Sequence, residues 1–429
     1  VLNGKTQEVE ILTLEDCLRI GIDNNLSLEG KRKEIQRSKY GVSENRSKLL
    51  PQINAIAGYS NNFDPPVSVT DGSSYGVPYN ITQTLQHSAN AGLEMQMPLF
   101  NQTLYTSMSI AKVMEEISRL SYGKAREDVI LQISKMYYLG QVTAEQIMLI
   151  KANITRLEEL RDITQAFFDN GMSMEVDLKR VNINLENLKV QYDNAQAMMK
   201  QQLNMLKYIM DYPAEKEIAL TPVNTDSITT VALTGLSENI YELQLSQSQV
   251  QLAERQKKII TNGYIPSLSL TGSWRYAAYT DKGYHWFHSG PSNQWFRSYG
   301  VGLTLRIPIF DGLDKTYKIK KAMIDIENKR LAWEDARKNL QTQYLNAVND
   351  LMNNQRNFKK QKDNYLLAED VYAVTSDRYR EGIASMTEVL QDEMQMSEAQ
   401  NNYISAHYNY RVTNLMLLKL TGQIESLVK

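Results

Sequence analysis

The side chains able to do chemistry are few in this sequence and poorly placed for it. Four histidines (His87, His285, His288 and His407) and one cysteine, Cys17, are scattered through 429 residues. His285 and His288 bracket the stretch HWFH, and two imidazoles three positions apart can reach one metal ion. The run of aromatics around them reads instead as a surface loop. His407 rides a helical pattern beside an apolar Ala406. A lone cysteine excludes an intramolecular disulfide and a thiolate cluster, and Cys17, at a helix start, reads as a small buried apolar residue. The 18 methionines fall mostly on apolar stripes, where methionine fills gaps. No acid, base and nucleophile cluster together. The expectation is no catalytic residue, no cofactor, no metal site, and hence no enzyme.

The elements that carry these residues say more than the residues do. Hydrophobic content is 42% and mean hydropathy −0.43, with no apolar run long enough for a membrane helix. A β-barrel stays open, because its strands are short and alternating and hardly move an average. With 47 basic against 49 acidic residues the net charge is −2, so no global field invites nucleic acid. No tripartite leader follows Val1, and the expectation is that any signal peptide has been removed.

The chain is one unit written twice. LLPQINAIAGYS resembles YIPSLSLTGSWR, with Pro266 lying 215 positions after Pro51. AGLEMQMPLFNQ resembles VGLTLRIPIFDG, with Pro308 lying 210 after Pro98, and Gly382 follows Gly171 by 211 in the third match. Residues 1–212 form a first repeat, 235–429 a second, and 213–234 a proline-containing linker between them. Each repeat orders a helix (13–49 and 235–263), a strand, a loop, a second strand, a very long helix, a tight turn and another long helix.

Every strand alternates with a period of two. Ile53, Ala55, Ala57 and Tyr59 share one face of the first. Leu93, Met95 and Met97 do so in the second, Leu268, Leu270, Trp274 and Tyr276 in the third, and Val301, Leu303 and Leu305 in the fourth. A half-buried sheet packed on a helix would alternate in the same way. The neighbouring helices, however, are too long to fold back, and their own apolar stripes are used in helix packing. Ten-residue strands cross a bilayer when tilted. Tyr59, Trp274, Tyr276, Tyr279, Trp295 and Tyr299 gather where an aromatic girdle would lie. The apolar face, including Leu93, Met95, Leu268, Leu270, Val301, Leu303 and Leu305, is therefore expected to meet lipid. Four strands leave open edges that lipid does not tolerate. The chain must oligomerise, to eight strands as a dimer or twelve as a trimer.

Between roughly 102 and 169, and between 313 and 381, no proline interrupts, and each helix would run about 100 Å at about 1.5 Å per residue. Leu178, Val181, Leu185, Leu188 and Tyr192 keep a three-four spacing after the first turn, as do Val389, Met396, Ala399, Tyr403 and Tyr410 after the second. These are coiled-coil seams. Gly171 and Gly382 supply the left-handed residue that ends a helix, and Ser173 and Ser385 stand where either could cap the next one.

The opening LTLEDCLRIGIDNN, the strand entries at Pro51 and Pro266, the Pro98-Leu-Phe and Pro308-Ile-Phe exits and the glycine-serine tips together resemble the TolC family of outer-membrane efflux channels. The resemblance covers nearly the whole chain. It implies a mixed α and β fold: a long antiparallel α-helical coiled-coil barrel in the periplasm plus four transmembrane strands per chain, a homotrimer closing a twelve-stranded barrel in the outer membrane. It implies as partners a periplasmic adaptor and an inner-membrane transporter, with the chain as exit duct of a tripartite efflux or type I secretion system. A coiled-coil structural or adhesin-like envelope protein is the other class; it has no use for lipid-facing strands. By tip-glycine matching, the family's periplasmic constriction falls at Glu388, with Asp177 its first-repeat counterpart and Tyr379 a member of the same network. The family's second acidic position is Gln391 here, with Asp392 next to it, and its basic partner is Ala384. Glu388 can also be read as a solvated carboxylate favoured by its helix dipole. The tips Gly171, Met172, Ser173, Gly382, Ile383, Ala384 and Ser385 are the expected adaptor contact.

Overall fold

A threonine that can cap and a leucine four residues into a helix start the ordered chain. The computed structural model describes residues 9–428 apart from 66, 72, 84, 223–234 and 281–294. The HWFH stretch and most of the linker lie outside the described residues. After a short strand β1 (Glu10–Leu12), helix α1 (Leu14–Asn24) opens on a capping box. The Thr13 hydroxyl accepts from the Asp16 amide (3.1 Å), and the Asp16 carboxylate accepts from the Thr13 amide (3.2 Å).

The single helix expected over 13–49 is two. Asn25 has ψ 119° and breaks the run, and α2 (Leu26–Ser47) follows. The Asn25 carboxamide explains the break. Its Oδ1 accepts from the Leu28 amide (3.1 Å) as a cap of α2, while its Nδ2 donates to the Ile209 carbonyl (2.7 Å). One side chain thus ends a helix, starts another and ties both to a distant segment.

The rest of the first repeat runs through β2 (Gln52–Asn61), the hairpin β3 (Val67–Asp71) and β4 (Tyr79–Gln83), β5 (His87–Phe100), α3 (Gln102–Asp169) and α4 (Glu175–Met210). Strand β6 (Ile218–Leu220), inside the expected linker, pairs with β1 in parallel. The second repeat follows as α5 (Tyr241–Asn262), β7 (Ser267–Thr280), β8 (Trp295–Arg306), α6 (Asp314–Arg380) and α7 (Met386–Leu420). The long helices hold 68 and 67 residues, as their freedom from proline predicts.

The chain forms two compact units, and each draws on both repeats. One comprises residues through Ile35, Ser118–Gln247 and residues from Leu331 on; the other comprises Gln36–Ile117 and Ser248–Arg330. In the first, the seams are the core. Val181, Leu185 and Leu188 of α4 and Val389 and Met396 of α7 are buried together with Leu157 and Leu160 of α3. A second cluster packs Cys17, Leu18 and Leu28 against Ile130, Ile133, Leu206 and Met210.

The other unit holds an antiparallel four-stranded sheet in the order β2-β5-β7-β8. Its register brings the apolar alternations of all four strands onto one face: Ala55, Leu93, Trp274 and Tyr299 form one cross-strand row, and Ile53, Met95, Gly272 and Val301 the next. The strand carrying Pro98 continues to Phe100 rather than stopping at the proline, with the register shifting between the two. Proline has no amide to donate, and a bulge absorbs the gap. Pro308 does end its strand, at Arg306.

Candidate functional site

Two places in the fold hold the residues singled out by sequence: the helix tips and the sheet. The two tips are built alike. Gly171 (φ 73°) donates to the Phe168 carbonyl (2.9 Å) and Met172 to that of Phe167 (2.8 Å). Gly382 (φ 74°) donates to Tyr379 (2.9 Å) and Ile383 to Arg378 (2.8 Å). This pair of reversed bonds closes a helix and needs a left-handed residue, which glycine adopts without a Cβ penalty.

The capping differs. Ser385 sits at the N-cap of α7, and its hydroxyl accepts from the Glu388 amide (3.3 Å). Ser173 does not cap α4. The helix begins at Glu175, so Met174 occupies the cap without a side-chain bond, and the Ser173 hydroxyl is buried with no partner. Counting from each glycine gives the reason: Ser385 corresponds to Met174, and Ser173 corresponds to Ala384.

The tips of the two repeats meet in a cleft of about 690 Å³ lined by Phe167, Met172, Asp177, Arg180, Tyr379 and Thr387 among others. Arg180 joins them, 3.4 Å from the Asp177 carboxylate and donating to the Thr387 hydroxyl at 3.3 Å. Tyr379 is buried, its hydroxyl donating to Thr164 (3.3 Å) and its ring 5.7 Å from that of Phe167. Glu388 and Gln391 are exposed and Asp392 is half-buried. Among the described residues Glu388 faces no cationic partner, whereas its counterpart Asp177 has Arg180. Met172 and Ile383, at 68% and 62% exposure, present apolar side chains at the very tips, and Ala384 is tucked in.

Behind the tip lies a buried acid that sequence reading passed over. Glu393 is 5% exposed, and its Oε1 has no hydrogen-bond partner. Burial holds its pKa above the ordinary carboxylate value, and the Arg156 guanidinium opposes this only in part. Its position was a signal: 393 falls on the seam between Val389 and Met396, where an apolar residue belongs. Further along, Asn153 and Gln400 pair side chain to side chain at 2.7 Å. His407 is buried beside Glu145 (3.4 Å), its ring 4.9 Å from that of Phe358. Cys17 is fully buried, and burial pushes its thiol up to about 12, which makes it unreactive. Among the described residues no group of three metal-binding side chains converges.

In the sheet, the face opposite the apolar one carries Asn54, Gln96, Thr271 and Ser273 and the ion pair between Glu94 and Arg275 (2.5 Å). Tyr59, Trp274, Tyr276, Trp295 and Tyr299 lie on the apolar face. Tyr279 does not: it pairs with Ser88 on the polar face, one residue out of phase with Trp274 and Tyr276. The girdle expected from sequence is shorter by that residue.

The sequence matches the family described as outer membrane efflux protein over residues 20–210 and 232–423. It is 21% identical to the outer membrane protein TolC of Vibrio cholerae, over 89% of this chain and 84% of that one. It is 23% identical to the antibiotic efflux pump outer membrane protein ArpC of Pseudomonas putida, over 95% and 82%. Among solved structures the fold is similar to CusC (TM-score 0.79, 15% identity, 98% of this chain and 95% of that one). It is likewise similar to the outer membrane protein VceC of Vibrio cholerae (TM-score 0.75, 14% identity, 95% and 96%).

Proposed function

Because the chain belongs to the outer membrane efflux protein family, and is therefore an outer-membrane efflux channel rather than an enzyme, we propose that three copies close one duct whose wall in the membrane is the β2-β5-β7-β8 sheet. The observation that carries this is the register. Four strands that are not all neighbours in sequence put their apolar residues on one face and their polar residues, with Glu94 and Arg275, on the other. Leu93, Met95, Leu268, Leu270, Val301, Leu303 and Leu305 then face lipid, and the polar face lines a wet lumen. The edges β2 and β8 carry unpaired backbone groups that only further copies can satisfy in a bilayer. Twelve strands enclose a passage, whereas eight fill their own interior.

The tips are the docking points for a periplasmic adaptor that links the duct to an inner-membrane transporter. Exposed Met172 and Ile383 offer apolar contact there, and the glycines fix the turn. Glu388, exposed and without a cationic partner, is the residue that lines the constriction, and Gln391 and Asp392 follow it on the same helix. Tyr379 serves the gate from behind, by packing one tip against the other.

Purified protein added to a planar lipid bilayer tests the reading. Stepwise, uniform current increments are expected. Protein that inserts without conducting, or does not insert at all, refutes the duct.

A further inference from the structure

The two repeats of one chain meet strand to strand, and that junction carries information about how the next chain attaches. The repeat offsets map β2 onto β7 (215 positions) and β5 onto β8 (210 positions). Under this shift Ile53 opposite Met95 becomes Leu268 opposite Leu305, and Ala57 opposite Ala91 becomes Gly272 opposite Val301. Both shifted pairs are observed, so the two hairpins share one register. The hairpins are joined through β5 and β7, where Leu93 faces Trp274 and Glu94 faces Ser273. The same shift applied to that junction sets β8 against β2 of another copy. Leu303 then lies opposite Tyr59 of the next copy, and Thr304 opposite its Gly58.

We infer that the contact between neighbouring subunits repeats the contact between the two halves of one chain, in the same register. The inference rests on the reading that several copies close one barrel. Three observations favour this register. First, it keeps the faces matched, since Leu303 and Tyr59 both belong to the apolar face; a slip of one residue would oppose apolar to polar along the whole seam. Second, it reproduces the chemistry at the junction, a leucine beside an aromatic ring in both cases. Third, it covers what is bare. Phe100, paired with Leu268 inside the chain, is 43% exposed, whereas its counterpart Phe310 is 81% exposed. The shift places Phe310 opposite Ile53 of the next copy, itself 65% exposed. A contact that runs from one edge to the other edge of the next copy is head-to-tail and closes as a ring.

A slip of two residues would also keep the faces matched, so the experiment discriminates against that slip. Gly58→Cys with Thr304→Cys, and Tyr59→Cys with Leu303→Cys, are made in the full chain. Consecutive antiparallel pairs alternate between hydrogen-bonded and non-hydrogen-bonded, with Cα separations of about 5.5 and 4.5 Å, both within disulfide range. Ser60→Cys with Thr304→Cys is the slipped control. Mild oxidation of membranes is expected to give covalent dimers and trimers on denaturing gels at least tenfold more abundantly for the matched pairs than for the control. Equal or stronger linkage by the slipped pair overturns the register, as does a conducting assembly that neither matched pair links. Current and assembly of the unsubstituted chain are measured in parallel. If that chain does not assemble, the closed barrel fails along with the register; if it conducts, only the register is lost.

Discussion

Glu388 and Glu127 are both glutamates on helices, and their surroundings give them opposite tasks. Glu388 stands exposed one turn after the tip with no cation beside it. Three such carboxylates brought together by symmetry repel one another, and a multivalent cation relieves the repulsion. Glu388→Gln is expected to abolish block of the channel current by multivalent cations applied from the periplasmic side, with assembly intact. Asp177→Asn, where the carboxylate already has Arg180, should leave block in place. Unchanged block in Glu388→Gln would move the constriction to Asp392. Glu127 of α3 is 4% exposed, and burial pushes it up to about 7 from its ordinary 4.5, with Lys419 opposing. Between those two values the folded chain keeps a proton that the unfolded chain has released, so stability falls as pH rises through that window. At about 1.36 kcal/mol per unit the penalty above pH 7 is at most about 3 kcal/mol. Glu127→Gln should therefore raise the unfolding temperature at pH 8 and flatten its dependence between pH 4.5 and 7. Thermal unfolding followed by circular dichroism checks this, and an unchanged pH profile would show that Glu127 is not the group responsible.

At the scale of elements, the two tips make a controlled comparison. Met174 and Ser385 have nearly the same backbone at the N-cap, φ −86° and −89°, yet only the serine accepts an amide. Met174→Ser should stabilise the α3-α4 hairpin by about 0.5–1 kcal/mol, and Ser385→Ala should destabilise its partner by about 1 kcal/mol. Urea unfolding reads both, and a Met174→Ser variant no more stable than the parent would mean that the amides are already satisfied by water. The strands offer a second comparison. Leu303 and Thr304 are adjacent and both exposed in the single chain, but they lie on opposite faces of β8. Leu303→Arg places a charge in lipid at a cost of about 2–4 kcal/mol near mid-depth, whereas Thr304→Arg places it in the lumen. Membrane insertion should suffer in the first variant and survive in the second. Equal yields from both would reverse or erase the assignment of faces.

At the scale of the whole molecule, the chain is unfinished by itself. All twelve residues of β8 are exposed, and β2 and β8 end the sheet on both sides. Backbone groups at a sheet edge in lipid or a micelle are costly to leave unpaired. Light scattering in mild detergent should therefore give three times the chain mass, with no dissociation on dilution. A monodisperse monomer would remove both the barrel and the duct.

Periodicity is a local property, and what it governs was legible in the sequence alone. The alternation of Val301, Leu303 and Leu305, the proline-free helices, the left-handed glycines at both tips and the duplication are properties of a few neighbouring residues or of comparing one half with the other. The face of Tyr279 was legible too, by counting from Trp274. Tertiary structure alone decided what depends on distant partners. Asn25 breaks a helix because the Ile209 carbonyl lies within reach of its side chain. The strands β1 and β6 exist because segments about two hundred positions apart pair with each other. Glu127 holds its proton because other helices exclude water from it, and Arg180 bridges the tips because Thr387 of the other repeat faces it. A side chain's type and spacing are written in the chain, but its solvent and its partner are set by segments remote in sequence, and those fix its charge and its hydrogen bonds.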